Sequence, residues 1–101
     1  MISSVSSSLS ILQSGMAAIG AAVTDTADNI ANASSIDYRA QRGRMISQPL
    51  GVDYIRLPAQ GEVDLGRQMV DLMQARTSYK ALANAFRSTD EMEKQAVDLL
   101  A

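Results

Sequence analysis

VDLGRQMVDLMQARTSYKALANAFRSTDEMEKQAVDLL, residues 63–100, is the stretch whose reading decides the fold. It holds no Pro, its single Gly is Gly66, and its apolar residues recur at helical spacing. Leu65, Met69, Leu72, Arg76, Tyr79, Ala83 and Phe86 alternate steps of four and three. That is a heptad seam with one charged member, Arg76. Val70, Met73 and Leu82 widen the stripe on its flank. Beyond Phe86 the phase slips, and the pattern resumes at Met92, Ala96, Leu99 and Leu100 as if three residues were inserted. A helix over this stretch is about 55 Å long at about 1.5 Å per residue. A compact chain of about 100 residues has a radius of gyration near 13 Å. Such a helix needs a long partner.

The N-terminal third offers one. Ile2, Val5, Leu9, Leu12, Met16, Ile19, Val23, Thr26, Ile30 and Ala33 keep a strict alternation of threes and fours. Very small residues, Gly15, Ala17, Ala18, Gly20, Ala21 and Ala22, surround that seam. A Gly inside a helix costs about 1 kcal/mol relative to Ala, so two of them point to close approach by a neighbouring backbone. Ser-rich residues 1–8 are expected to fray, because Ser competes for the backbone in helix interiors. Asp25, Asp28, Asn29 and Asn32 form a polar edge at helical spacing, expected to face solvent or a partner rather than a metal. Asn32 to Ser35 reads as the helix stop. No charged side chain precedes Asp25, yet Leu9–Val23 covers only about 22 Å of a hydrocarbon core of about 30 Å. With no Lys or Arg before Arg39, neither a cleaved signal nor a membrane span is favoured.

Composition narrows the functional classes. The 101 residues include no Cys, His or Trp and carry a net charge of -2. Thiol nucleophiles, imidazole acid–base chemistry and the usual zinc sites are excluded. The charge gives no basic face for nucleic acid. Carboxylates occur, but none pairs with a phosphate loop or metal-ligand spacing. The chain therefore reads as a non-enzyme with no cofactor, metal or small-molecule substrate.

Residues 34–62 read as a connector. Arg39, Arg42 and Arg44 precede Gln48-Pro49-Leu50-Gly51, which suits a type I turn. Met45-Ile46 and Val52–Leu57 could pair across it as a short hairpin, with the three Arg in a solvated loop or on an anionic partner. Glu62 and Asp64 place acids at the positive end of the next helix. There Arg67–Asp71, Arg87–Glu91 and Asp90–Lys94 are spaced for ion pairs, while Arg76 and Lys80 repel. Arg76 either snorkels or meets a carboxylate on a neighbouring chain. The expected fold is mainly all-α. Residues 1–33 and 63–101 supply two long helices pairing as an antiparallel coiled-coil hairpin, joined by a short irregular or β-hairpin connector over 34–62.

Ala27-Asp28-Asn29-Ile30-Ala31-Asn32, followed by Ser35-Ile36-Asp37-Tyr38-Arg39, resembles the N-terminal motif of bacterial flagellar rod and hook axial proteins. Val63-Asp64-Leu65, Met69–Met73, Ala75-Arg76, Tyr79-Lys80-Ala81 and Ser88–Met92 are similar to that family's C-terminal helix. Asp28 stands for a usual Asn, Asp37 for a usual Gly and Gln68 for a usual Glu. Asp can enter the left-handed region that Gly prefers, so the turn at Asp37 is expected to survive. The short connector is most like the proximal-rod type. The resemblance implies a structural subunit of the basal-body rod, a hollow helical shaft that crosses the periplasm and transmits torque. It implies homo-oligomer contacts, other rod proteins as neighbours, and the flagellar type III export apparatus as the route out, without a cleaved signal. It also implies Asn29, Ala31, Asn32, Tyr38 and Arg39 as motif positions. Leu9, Leu12, Met16, Ile19, Val23 and Ile30 would be the assembly seam of the first helix. Leu65, Met69, Leu72, Met73, Arg76, Tyr79, Ala83, Phe86, Met92 and Leu99 would be that of the second. The alternative is a soluble coiled-coil adaptor or flagellar export chaperone.

Overall fold

A computed structural model describes the chain from Ile2 to Leu100, and its side chains from Val5. Met1 and Ala101 of the expected domain, and the side chain of Ile2 in the expected stripe, lie outside the described residues. Four elements follow in order: α1 (Ile2–Ala31), β1 (Arg42–Gln48), β2 (Gly51–Leu57) and α2 (Leu65–Leu100). The molecule is mainly helical, with its two helices joined by a small antiparallel hairpin. Its radius of gyration is 17.4 Å and its extents are 62 × 23 × 14 Å. It is elongated, as two helices of 30 and 36 residues require.

Helix α1 starts at Ile2 and runs through the Ser-rich segment. The far end of α2 supports it there: Ser6 donates to Glu93 Oε1 at 3.0 Å, beside the half-buried Val5 and Leu9. The helix stops where expected. Asn32 Nδ2 donates to the Asp28 carbonyl at 2.9 Å, and Ser35 N donates to the Asn32 carbonyl at 2.9 Å. Asp37 then takes φ 63, the left-handed conformation expected of it. Asp64 caps α2, its Oδ1 accepting the Arg67 N–H at 3.2 Å. By length and composition Val5–Ala31 is long enough to cross a membrane, a longer span than Leu9–Val23 implies. Core helices and signal sequences share that property.

The connector is the hairpin alternative. Arg42↔Leu57 through Gln48↔Gly51 pair in register, so Arg42 and Arg44 sit on a strand and not in a loop. Pro49 and Leu50 make the turn without positive φ, and Gly51 takes φ 148 immediately after it. A Cβ on Gly51 would collide with Ser14, so the turn presses against α1. The Val52 N–H donates to Ser14 Oγ at 3.0 Å. Gly43 has a similar duty, since a Cβ there would strike the Tyr54 ring. At the open end, Ala40 and Gly61 close the base through a backbone bond of 3.0 Å.

The stripe of α1 lies where its spacing put it. Leu9, Leu12, Met16, Ile19, Val23, Thr26 and Ile30 are all half-buried, though Ala33 is exposed beyond the helix end. The seam of α2 does not. The half-buried line of α2 runs Gln68, Leu72, Ala75, Leu82, Phe86, Thr89, Glu93 and Ala96, at steps of four, three and seven, with Tyr79 in the gap 44% exposed. Gln68, Leu82 and Glu93 touch α1 directly, at Asn29, Gly15 and Ser6. There is no slip after Phe86. The expected frame shares Leu72, Phe86 and Ala96 with this one, and its Ala83 is half-buried beside the line. Leu65, Met69, Met73, Arg76, Met92 and Leu99 are exposed. Polar Gln68 and Glu93 sit on the inner line because each bonds a side chain of α1 there, which apolar spacing alone does not register. Of the two glycines in α1, Gly15 is approached closely, its Cβ position lying 3.2 Å from Leu82 Cδ1, whereas nothing lies within 4 Å at Gly20. Among the expected ion pairs of α2, Asp90–Lys94 forms at 3.2 Å.

The two frames differ in an outcome. Leu82→Ala should cost about 1–2 kcal/mol in urea melts of the dilute chain followed by circular dichroism. Met73→Ala should cost less than about 0.5 kcal/mol, being exposed. The reverse order would restore the outer frame.

Candidate functional site

Two features stand out: a polar hub at the end of α1 and an apolar groove further along it. The expectation that Asp25, Asp28, Asn29 and Asn32 form one solvated or partner-facing edge needs correcting. Asp28 is exposed, but Asp25 and Asn29 are 4% and 1% exposed. The reason is the connector, which folds back along α1 and covers them.

Asn29 uses its whole amide. Its Nδ2 donates to the Gln41 carbonyl at 2.8 Å and to Gln68 Oε1 at 3.1 Å. Its Oδ1 accepts the Gln41 N–H at 2.7 Å and the Tyr38 hydroxyl at 3.1 Å. Two donors and two acceptor sites are the full capacity of an amide side chain. The bonds reach the turn, the approach to β1 and the first turn of α2, so one side chain ties three segments to α1.

One turn earlier, Asp25 fixes the hairpin. Its Oδ2 accepts the Tyr54 hydroxyl at 2.7 Å and its Oδ1 accepts Arg56 Nε at 3.0 Å. Arg56 is largely in solvent while Asp25 is not, which blunts the ion pair. Burial chiefly, then the hydrogen bond and charge of Asp25, push the Tyr54 phenol up to about 12, partly opposed by Arg56. Tyr38 is raised too, by burial first and then by Asp28 and Asp25.

The groove, of about 580 Å³, is lined by Ile19, Gly20, Val23, Leu72, Ala75, Arg76, Tyr79 and Lys80. Gly20 adds no side chain to it, and a Cβ there would meet nothing within 4 Å. Here the structure brings together Ile19 and Val23 of one expected seam with Leu72, Arg76 and Tyr79 of the other. Arg76 is exposed at the rim and meets no carboxylate within ion-pair distance among the described residues. Leu9, Leu12, Met16, Ile30, Ala83 and Phe86 lie along the helix contact, outside the groove. Of the motif positions, Asn29 is the hub, Tyr38 one of its partners and Asn32 the helix stop, while Ala31 and Arg39 are exposed.

Asp25, Tyr54, Arg56, Gln41 and Gln68 were not expected at a site. One signal was available: Asp25 is the first charge after a long uncharged run and lies four residues before Asn29. That spacing puts both on one helix face.

No protein-family model matches the chain, and no curated protein matches it.

Asn29→Ala strands the Gln41 N–H in a buried place and should lower stability by about 2–3 kcal/mol in urea melts. Tyr54 provides a pH signature. A phenol whose folded pKa is raised stabilises the fold while protonated, fully below about pH 10, and that contribution disappears as pH climbs through 12. Absorbance titration should show a late tyrosinate phase that Tyr54→Phe abolishes, and the same variant should lose stability less steeply across that window.

Proposed function

We propose that this chain is a structural subunit of the bacterial flagellar basal-body rod, assembling through its two helices into a hollow helical shaft. The helices pair as an antiparallel coiled-coil hairpin, and copies of that hairpin form the wall of the shaft. The chain works without catalysis, cofactor or small-molecule substrate. It leaves the cell through the type III export apparatus and meets other rod proteins in the periplasm.

The observation that carries this reading is how little the chain buries by itself. Among the described residues the only buried apolar side chain is Ala18, and none of the 36 residues of α2 is buried. Met69, Val70, Met73, Met92 and Leu99 stay largely in solvent. Covering a large apolar side chain contributes about 1.5–3 kcal/mol, so neighbours that cover this row have much stabilisation to supply. The resemblance of both chain ends to the rod and hook family names the assembly. The hub supports it as well, since Asn29, Tyr38 and Asn32 of the resembling motif have structural duties at the helix end.

Sedimentation and electron microscopy over rising concentration test the reading. Open-ended polymers, or attachment to isolated rod partners, are expected; a closed dimer or tetramer of fixed size would favour the adaptor or chaperone instead. Met73→Glu should leave the melting of the dilute chain within about 0.5 kcal/mol. It should raise the concentration needed for polymers about tenfold or more. An unchanged threshold would remove the exposed row of α2 from the interface.

A further inference from the structure

The hairpin has two faces. Strand alternation turns Tyr54 and Arg56 toward Asp25 on α1. Residues opposite one another across the ladder share a face, so Arg42, Arg44, Ile46, Asp53, Ile55 and Leu57 lie on the other side. Among the described elements the hairpin packs on α1 alone, and on the outer side Arg42, Arg44, Asp53 and Ile55 are exposed while Ile46 and Leu57 are half-buried. It is apolar and basic together. Its charged side chains are the exposed Arg42 and Arg44 and one acid, Asp53, whereas Arg56 belongs to the inner side.

The end of α2 has the opposite character. Residues 88–100 contain Asp90, Glu91, Glu93 and Asp98 against Lys94. Asp90 is taken by Lys94 at 3.2 Å and Glu93 by Ser6 at 3.0 Å. Glu91 and Asp98 have no such partner among the described residues. They stand seven apart on one helix face, next to Met92 and Leu99, which are 60% and 88% exposed. At about 100° per residue this stripe lies opposite Glu93, which faces α1.

We propose that the outer face of the hairpin docks the Glu91–Asp98 stripe of a second copy of this chain. The proposal rests on the self-assembly reading above and names one contact within it. One molecule carries both halves: apolar groups interleaved with guanidinium at one place, apolar groups interleaved with carboxylate at another. It cannot join its own. The hairpin lies along α1 from Ser14 to Asp25, whereas the stripe is on the side of α2 away from α1, level with Ser6 and toward the other end of a body 62 Å long. The contact is therefore heterologous, one copy's hairpin on the next copy's tail, and it leaves a free half at each end. Opposite charge sets partner and direction, and the apolar groups supply the area.

Charge exchange tests it. Arg42→Glu with Arg44→Glu makes both halves acidic; Glu91→Arg with Asp98→Arg makes both basic. Each variant, with its helical circular dichroism intact, should need about tenfold higher concentration to associate, as read by sedimentation, and the wild-type association should weaken with salt. An equimolar mixture of the two should recover near-wild-type association, because each hairpin then finds an opposite tail. Should a reversed variant misfold, the natural absence of Cys allows a second measurement. Ile55→Cys and Leu99→Cys chains, mixed and oxidised, should give a mixed disulfide dimer in excess of either homodimer. Variants that polymerise like wild type, or no preferred mixed dimer, would overturn this contact while leaving the shaft reading standing. A wild-type chain that stays monomeric at every concentration would overturn both.

Discussion

The structure depends on one amide being satisfied on all sides. Asn29 is the most deeply buried side chain among the described residues, and burying an amide without partners is unfavourable by several kcal/mol. Its bonds to Tyr38, Gln41 and Gln68 are what make burial there tolerable. They also fix where the chain turns, where β1 begins and how α2 sets off against α1. Apolar packing in so thin a body specifies direction poorly, because one half-covered Leu or Met resembles the next. Directional polar bonds at one end set the register, and the helices follow it. Asp25 extends the same logic by one turn, gripping Tyr54 and Arg56 and so laying the hairpin against the helix.

The parts legible in the sequence were those with a period or a stereochemical reason. The stripe of α1 was readable because its apolar residues and its packed face coincide. The stop at Asn32 and the left-handed Asp37 were readable because few residues manage those conformations. The hairpin was readable only as an option, since a pair of strands is marginal until something holds it. What holds it is Asp25, and nothing in the spacing of the connector announces which helix residue will receive it.

Helix α2 explains the remaining failure. Its apolar residues outnumber the positions that one neighbouring helix can cover, so two frames compete, and they share Leu72, Phe86 and Ala96. The packed frame is the more polar one, with Gln68, Thr89 and Glu93 on its line. It wins because Gln68 reaches Asn29, Glu93 reaches Ser6, and Leu82 fits over Gly15. The greasier frame is left outside. Hydrophobic spacing identifies what would benefit from burial, but it does not say whether the cover comes from the same chain or another.

A body only 14 Å through at its thinnest has a calorimetric consequence. The heat-capacity rise on unfolding follows the apolar area newly hydrated, normally about 12–15 cal/mol/K per residue. This chain already hydrates much of that area when folded, so its rise should be smaller and its stability curve unusually flat between cold and warm. Curvature would then arrive with association rather than with folding, and temperature would act on the joined state far more sharply than on the single molecule.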